Sequence, residues 1–253
     1  MQIDRHVGMS SDARRSTTVD TLHEPVSAPL ITTGIARWAE VAISVLGLTL
    51  SVPLLGLSSL AIALSSPGPV IFRQERVGRY GQLFVLYKLR TMRIVHEGPQ
   101  VTASGDARVT WIGRILRRTK VDELPELWNV LKGDMSLVGP RPEVPRYVDL
   151  EDERWGLVLK SRPGLTDPVT LSLRNEEALL ADVKGNREYF YIESLQPFKL
   201  QGYIDYLHHR SWWSDVKVLS RTLLVIVWPN VNTRLRDSDL SMVVAKHGED
   251  SCH

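Results

Sequence analysis

RRTKVDELPELWNVLKGDMSLVGPRPE, residues 117–143, is the stretch on which the reading of this chain turns. It sets two adjacent carboxylates, Asp122 and Glu123, between a basic cluster (Arg117, Arg118, Lys120) and a loop ending in Gly139-Pro140-Arg141-Pro142. Residues 121–132 predict a helix that stops at Gly133, a residue suited to a left-handed C-terminal cap. Pro125 is tolerated only in a first helical turn, because it lacks an amide donor and its ring clashes with the preceding turn. That constraint places Asp122 and Glu123 at the helix N-terminus, where free amides and the positive dipole end favour carboxylates and phosphates alike. Two acids held against several cations suit a phosphate ester and a divalent metal. Taken alone, the helix leaves a plainer role open, with Asp122 as a cap and Glu123 as a first-turn acid.

Upstream of this stretch the charge is concentrated. Residues 71–120 carry eleven Lys/Arg against three Asp/Glu, in a chain whose net charge is only +2. A local excess of that size points to an anionic partner: nucleotide phosphates, lipid headgroups or nucleic acid. Within it, Val70-Ile71-Phe72 and residues 83–87 are β-prone runs separated by Gly78-Arg79-Tyr80-Gly81, which predicts a β-hairpin. Lys88, Arg90 and Arg93 follow its second strand, where a basic edge also serves to discourage strand aggregation. Residues 109–118, VTWIGRILRR, predict a basic amphipathic helix with Ile112, Ile115 and Leu116 on one face, of the kind that lies on an anionic membrane surface.

Further upstream, residues 41–64 form a run of twenty-four residues without one charge, long enough as a helix to cross a ~30 Å hydrocarbon layer. Pro53 near its middle deletes a backbone hydrogen bond and predicts a kink or break, with Ser51, Ser58 and Ser59 able to serve freed carbonyls. Both flanks are basic, with Arg37 before and Arg73, Arg76 and Arg79 after. Lys and Arg mark the cytoplasmic side, so a plain crossing puts one flank on the wrong face. A re-entrant hairpin that enters and leaves by the same face removes the conflict. A plain span and a buried core helix are the alternatives.

Downstream, Ser161-Arg162-Pro163-Gly164 is a turn carrying a guanidinium, and residues 205–228 predict one or two helices with Trp212 and Trp213 adjacent. Paired tryptophans pack in cores or mark a bilayer interface. Residues 1–30 and 231–253 are polar and predict flexible tails, the second with a docking patch at 242–245. The sole cysteine, Cys252, excludes an intrachain disulfide framework or a Cys-based zinc site in this sequence, as suits a reducing cytoplasm.

Together these pieces resemble the bacterial sugar transferase family, the monotopic polyprenyl-phosphate phosphoglycosyl transferases. The resemblance is carried by SPGPVIFRQERVGRYGQLFVLYKLRTM, by VTASGDARVTWIGRILRRTKVDELPELWNVLKGDMSLVGPRPE and by SRPGLT, in the family's order, with YIDYLHHRSWWSDVKVLSRT looking like its C-terminal helix. It implies an α+β, mainly helical, membrane-associated catalytic domain (residues 67–230) with a short β-hairpin, behind a Pro-broken re-entrant membrane hairpin (31–66) whose turn involves Ser51 and Pro53. The implied reaction moves a phospho-sugar from a UDP-sugar to undecaprenyl phosphate and releases UMP. Asp122 is then the nucleophile of an aspartyl phospho-sugar intermediate, and Glu123, with Asp122, holds Mg²⁺. Lys88, Arg90, Arg117, Arg141 and Arg162 are candidate phosphate ligands. Asp134 and Glu143 either support the metal or anchor an arginine, and Asp106 pairs within the basic helix region. The implied setting is the cytoplasmic face of the bacterial inner membrane, with the bilayer as partner, no nucleic acid, and downstream glycosyltransferases and self-association left open.

Two departures from the family pattern stand out. Its usual Ser-Pro pair at the membrane break is here Ser51-Val52-Pro53, and after Thr166 the usual Gly-Trp is replaced by Asp167-Pro168. Two other function classes compete with the transferase. One is a silent membrane scaffold, which has no chemical need of Asp122, Glu123 and Arg141 together. The other is a membrane-tethered nucleic-acid binder, which needs more stacking aromatics among the cations than Tyr80 and Tyr87.

Overall fold

The computed structural model describes residues 33–94, 102–173, 176–183 and 185–228; the polar segments at 1–30 and 231–253 and the patch at 242–245 lie outside them. The described chain is mainly helical. After α1 (Arg37–Ser65) come β1 (Ile71–Val77) and β2 (Leu83–Leu89), then α2 (Trp111–Thr119), α3 (Glu126–Lys132) and β3 (Ser136–Val138). The remainder is α4 (Glu153–Val158), β4 (Gly164–Thr166), α5 (Pro168–Ser172), α6 (Glu176–Asp182), α7 (Arg187–Phe190), α8 (Gln196–His208) and α9 (Trp212–Val227).

The expected hairpin is present. β1 and β2 pair antiparallel in a register from Ile71↔Leu89 to Val77↔Leu83, and the turn reverses through left-handed Tyr80 and Gly81. The far edge of β2 is closed by a side chain. Asn129 on α3 is fully buried, accepts from the Tyr87 amide at 3.2 Å and donates to the Val85 carbonyl at 2.7 Å. It thereby occupies the place of a third strand and fixes α3 against the sheet. Asp134 and Lys132 complete that corner, since Asp134 accepts from both Asn129 and Lys132. This identifies Asp134 as a structural anchor.

A second sheet was not foreseen. β3 and β4 pair in parallel, Ser136 with Gly164 and Val138 with Thr166. Just beyond β3 the backbones meet so closely that a Cβ on Gly164 would stand 2.1 Å from the Gly139 amide nitrogen. Glycine is required there, and the contact brings the loops bearing Arg141 and Arg162 side by side.

α1 runs through Pro53 uninterrupted. Of the kink or break expected from the sequence, the break does not occur. Pro53 frees the carbonyl of Thr49 four residues back, but Ser51 bonds the Leu48 carbonyl instead, at 3.0 Å, and Thr49 Oγ1 bonds that of Val45 at 2.8 Å. Such hydroxyl back-bonding in the preceding turn bends helices. The helix is polar on its inner face and apolar on its outer one. Glu40, Ser44, Ser51, Ser58 and Ile62 are its buried side chains, four or seven residues apart on one face. Trp38, Leu46, Leu50, Val52, Leu57, Leu60 and Leu64 face outward, exposed.

The rest of the fold holds α1 from end to end. In the first turn Arg37 donates to the Val130, Leu131 and Met135 carbonyls, where α3 ends at left-handed Gly133, and Glu40 accepts the Leu137 amide at 3.1 Å. In the last turns Ile62 packs with Leu89 and Leu116. The entry to α1 is tied to the C-terminal helices as well. Buried Asp215 accepts from the Ile35 amide, Tyr206 and Arg210, and Arg210 reaches the Val138 carbonyl. The predicted C-terminal helical region is therefore two helices, α8 and α9, with a Ser211 capping box starting the second. In α2, Leu116 faces in and Ile112 is half-buried, as expected, but Ile115 points outward beside Trp111.

Replacing Asn129 by Leu strands the Tyr87 amide and the Val85 carbonyl. Each unpaired buried group costs about 1–3 kcal/mol, so thermal unfolding in detergent should show a clear loss of Tm. An unchanged Tm would mean that the edge of β2 does not depend on this side chain.

Candidate functional site

α2 ends where Lys120 adopts the left-handed conformation, φ 59°. The chain then makes a separate 3-10 turn, Val121–Glu123, before α3 starts just after Pro125. The expected helix over 121–132 is thus split, and Asp122 and Glu123 sit in the turn ahead of α3 rather than in its first turn. Val121 anchors this turn by packing into the cluster of Ile62, Leu89 and Leu116, together with Leu55 of α1. The two acids then project among cations delivered by other elements.

Their environments differ sharply. Glu123 Oε1 accepts from Arg141 Nη2 at 2.7 Å, from Lys120 Nζ at 3.3 Å and from Lys88 Nζ at 3.4 Å. Burial alone would raise the pKa of Glu123, but Arg141 foremost, then Lys120 and Lys88, hold its carboxyl well below the usual range. Asp122 is also buried, yet its Oδ1 has no hydrogen-bond partner among the described residues. Burial pushes its pKa up and the neighbouring Glu123 charge adds to that, while Lys88, Lys120 and Arg117 only partly compensate. One carboxylate has a single oxygen bound by three cations and is firmly ionised. The other keeps an oxygen without a hydrogen-bond partner among the described residues and is more basic than usual.

A third acid belongs to the site and was not anticipated. Glu126 is almost completely buried and is ion-paired with Lys88, whose Nζ stands 3.0 Å from its Oε1. Burial and then the Glu123 charge push its pKa up, against the pull of Lys88. Lys88 therefore lies between Glu123 and Glu126. The signal available in the sequence was the three-residue spacing from Glu123, which returns a helical side chain to the same face.

The remaining candidates divide. Arg117 lies close enough to lower the pKa of Asp122 and is itself ion-paired with Glu177 of α6. Arg162 is half-buried on the loop against Gly139, and among the described residues its guanidinium has no hydrogen-bond or ion-pair partner. Arg90 goes elsewhere: it is buried and donates to the carbonyls of Ser66 at 2.7 Å and Pro67 at 2.5 Å, clamping the chain that leaves α1. Glu143 anchors an arginine, accepting from Arg76 at 3.4 Å. Asp106 pairs with Arg108 through both oxygens. Asp167, the first residue of the divergent loop, is wholly buried and caps α5 through the Thr170 amide and hydroxyl. Burial pushes its pKa up despite those bonds and the nearby charges of Arg141 and Lys199.

The family model described as bacterial sugar transferase matches residues 31–229. The chain is 42% identical over 192 residues to the UDP-glucose:undecaprenyl-phosphate glucose-1-phosphate transferase of Caulobacter vibrioides, covering 74% of this chain and 67% of the relative. It is 48% identical over 117 residues to a putative undecaprenyl-phosphate N-acetylgalactosaminyl 1-phosphate transferase of Bacillus subtilis, covering 46% and 65%. It is 33% identical over 218 residues to the UDP-N-acetylgalactosamine-undecaprenyl-phosphate N-acetylgalactosaminephosphotransferase of Aeromonas hydrophila, covering 83% and 48%. The chain thus spans about two thirds of the first two relatives and about half of the third.

The contrast between the two acids yields opposite stability effects. The folded pKa of Asp122 lies above its ordinary 3.8, so its ionised form burdens the fold at neutral pH. Asp122→Asn should raise Tm at pH 7, and the gain should fade as pH falls toward 3.8. Glu123→Gln should lower Tm at pH 7, because its folded pKa is depressed and its ionised form contributes stability there, an effect lost as the solution is acidified. A lower Tm for Asp122→Asn at pH 7 would contradict the assignment of a burdened carboxylate.

Proposed function

The chain belongs to the bacterial sugar transferase family, and on that footing we propose that it moves a phospho-sugar from a UDP-sugar to undecaprenyl phosphate at the cytoplasmic face of the bacterial inner membrane. The observation that carries this reading is the unpartnered Oδ1 of buried Asp122 beside a carboxylate bound by three cations. A carboxylate oxygen of Asp122 attacks the sugar-bearing phosphorus of the UDP-sugar. The bond from that phosphorus to the bridging oxygen breaks, UMP leaves, and the sugar phosphate is esterified to Asp122. A phosphate oxygen of undecaprenyl phosphate then attacks the same phosphorus. The aspartyl bond breaks, the lipid diphosphate sugar departs and the Asp122 carboxylate is restored.

Other side chains serve binding and charge. Arg141, Lys88 and Lys120 are held by Glu123 in the places where a diphosphate needs donors, and Arg141 offers a planar fork for phosphate oxygens. Arg117 and Arg162 extend the cationic surround. Glu123, kept ionised, stays anionic while Asp122 reacts. Mg²⁺ fits this donor set in a limited way. Among the described residues no three metal-ligating side chains converge, so the protein would offer Asp122 and Glu123 alone. A magnesium site commonly takes only one or two carboxylates and completes its shell with substrate phosphate and water. When bound there, the ion would neutralise charge on the leaving phosphate.

The membrane part of the proposal rests on surfaces. The outward face of α1 is apolar along its length, and Trp111 and Ile115 of α2 and Trp212, Trp213, Leu223, Leu224 and Val227 of α9 are exposed too. Apolar surface of that extent suits lipid contact. The body lies beside α1 from Arg37 to Ile62; a straight crossing would carry those polar neighbours into hydrocarbon. A bent α1 that enters and leaves by one face avoids this.

Membranes bearing the chain should release UMP from a UDP-sugar only with undecaprenyl phosphate in turnover and Mg²⁺ present, and chelation with EDTA should stop it. Asp122→Asn should lose turnover by orders of magnitude, since an amide is a far poorer nucleophile. Full turnover in that variant would remove Asp122 from its role. For topology, single cysteines at Thr33 and Gln82, with Cys252→Ser, should both react with an impermeant reagent from the cytoplasmic side. Labelling from opposite sides would defeat the one-face arrangement.

A further inference from the structure

Behind Arg141 runs a buried chain of charged and phenolic groups that the transfer chemistry above does not use. Glu143, two residues after Arg141, receives Arg76 Nη1 at 3.4 Å on Oε1 and the Tyr191 hydroxyl on Oε2. Arg76 also donates to the Pro142 carbonyl at 3.1 Å and to Gln74 at 2.7 Å. The Tyr191 oxygen in turn receives Lys199 Nζ at 3.4 Å, and Lys199 Nζ stands 3.1 Å from both oxygens of Glu176. Tyr191 and Lys199 are 4% and 7% exposed, so this is an interior network rather than a solvated surface.

Three features argue that the network has a purpose beyond cohesion. Charged groups out of water are expensive, and an apolar core of equal volume would serve stability at least as well. Tyr191 opens a π-helical turn, Tyr191–Leu195, between α7 and α8. Such wide turns are rare and recur where a side chain must be redirected to a functional place. The network also ends on the Pro142–Glu143 backbone and side chain, next to the arginine whose Nη2 is 2.7 Å from Glu123. The Tyr147 ring packs tilted at 46° against that of Tyr191, with centroids 5.4 Å apart.

We propose that Tyr191 and Lys199 are positioning residues that hold the Pro142–Glu143 segment and so keep Arg141 aimed at Glu123 during phospho-sugar transfer. This rests on the transferase reading of the site. Tyr191 touches no reacting atom; it acts through Glu143 and Arg141.

The test is a double-mutant cycle on the full chain in detergent or nanodiscs, read as UMP release with Mg²⁺ and undecaprenyl phosphate. Tyr191→Phe keeps the ring and removes only the hydroxyl. It should lower kcat about 10–100-fold, the scale on which a ~1 Å misplacement acts, with thermal unfolding showing a native-like transition. In an Arg141→Lys background the same change should cost less than about threefold, because residues acting through one another are not additive. Lys199→Met, which keeps length without charge, should show the same non-additivity and serves if Tyr191→Phe is poorly folded. An undiminished effect of both changes in the Arg141→Lys background, or wild-type kcat for both in an active enzyme, overturns the inference and leaves the transferase reading standing. A wild-type chain that releases no UMP from any UDP-sugar overturns both together.

Discussion

Three cations on one carboxylate oxygen organise this protein. Lys120 reaches Glu123 because α2 ends in a left-handed residue, Lys88 because β2 is fixed against α3 by Asn129, and Arg141 because two glycines let β3 and β4 close. Each contact comes from a different element. The balance of charge follows from that convergence: Glu123 takes the cations, and adjacent Asp122 remains buried with an oxygen unbonded. Removing any of the three elements would redistribute those cations, and a more weakly held Glu123 would leave them free to neutralise Asp122.

The same turn couples chemistry to lipid. Val121, one residue before Asp122, packs into the cluster that holds Ile62 of α1, a helix whose opposite face is largely apolar. Asp122 therefore follows directly on a residue that packs into the same apolar cluster as the helix that meets hydrocarbon in the proposed arrangement. In the proposed reaction a soluble nucleotide sugar and a lipid-borne phosphate have to reach Asp122 in succession, and a site joined to such a helix suits both. The inward polar stripe of Glu40, Ser44, Ser51 and Ser58 belongs to this arrangement. It lets an apolar helix pack along a polar body while keeping its greasy side chains outward.

Much of this was legible in local sequence, and the rest failed for a common reason. The hairpin, the basic helix α2, the Gly133 stop and the Asp122–Glu123 pair follow from short-range patterns. The split of 121–132 did not, because a non-glycine residue in the left-handed region, Lys120, carries no sequence mark. The β3–β4 pair did not, because strands of three residues show no alternation and the partner lies some twenty-eight positions away. Arg90 and Arg141 look alike in sequence, yet tertiary contacts give one to backbone carbonyls and the other to Glu123. Glu126 and the Tyr191–Lys199 network were missed because polar residues normally read as surface. Only the fold shows them buried and joined to charges from other elements.

The account stands on a covalent bond to one oxygen. Intact-protein and peptide mass spectrometry, after quenching the chain with UDP-sugar and Mg²⁺ but no lipid acceptor, tests it most directly. The account predicts one added sugar phosphate on the peptide containing Asp122, lost when undecaprenyl phosphate is supplied. An adduct on another residue, or none while turnover proceeds, would contradict it.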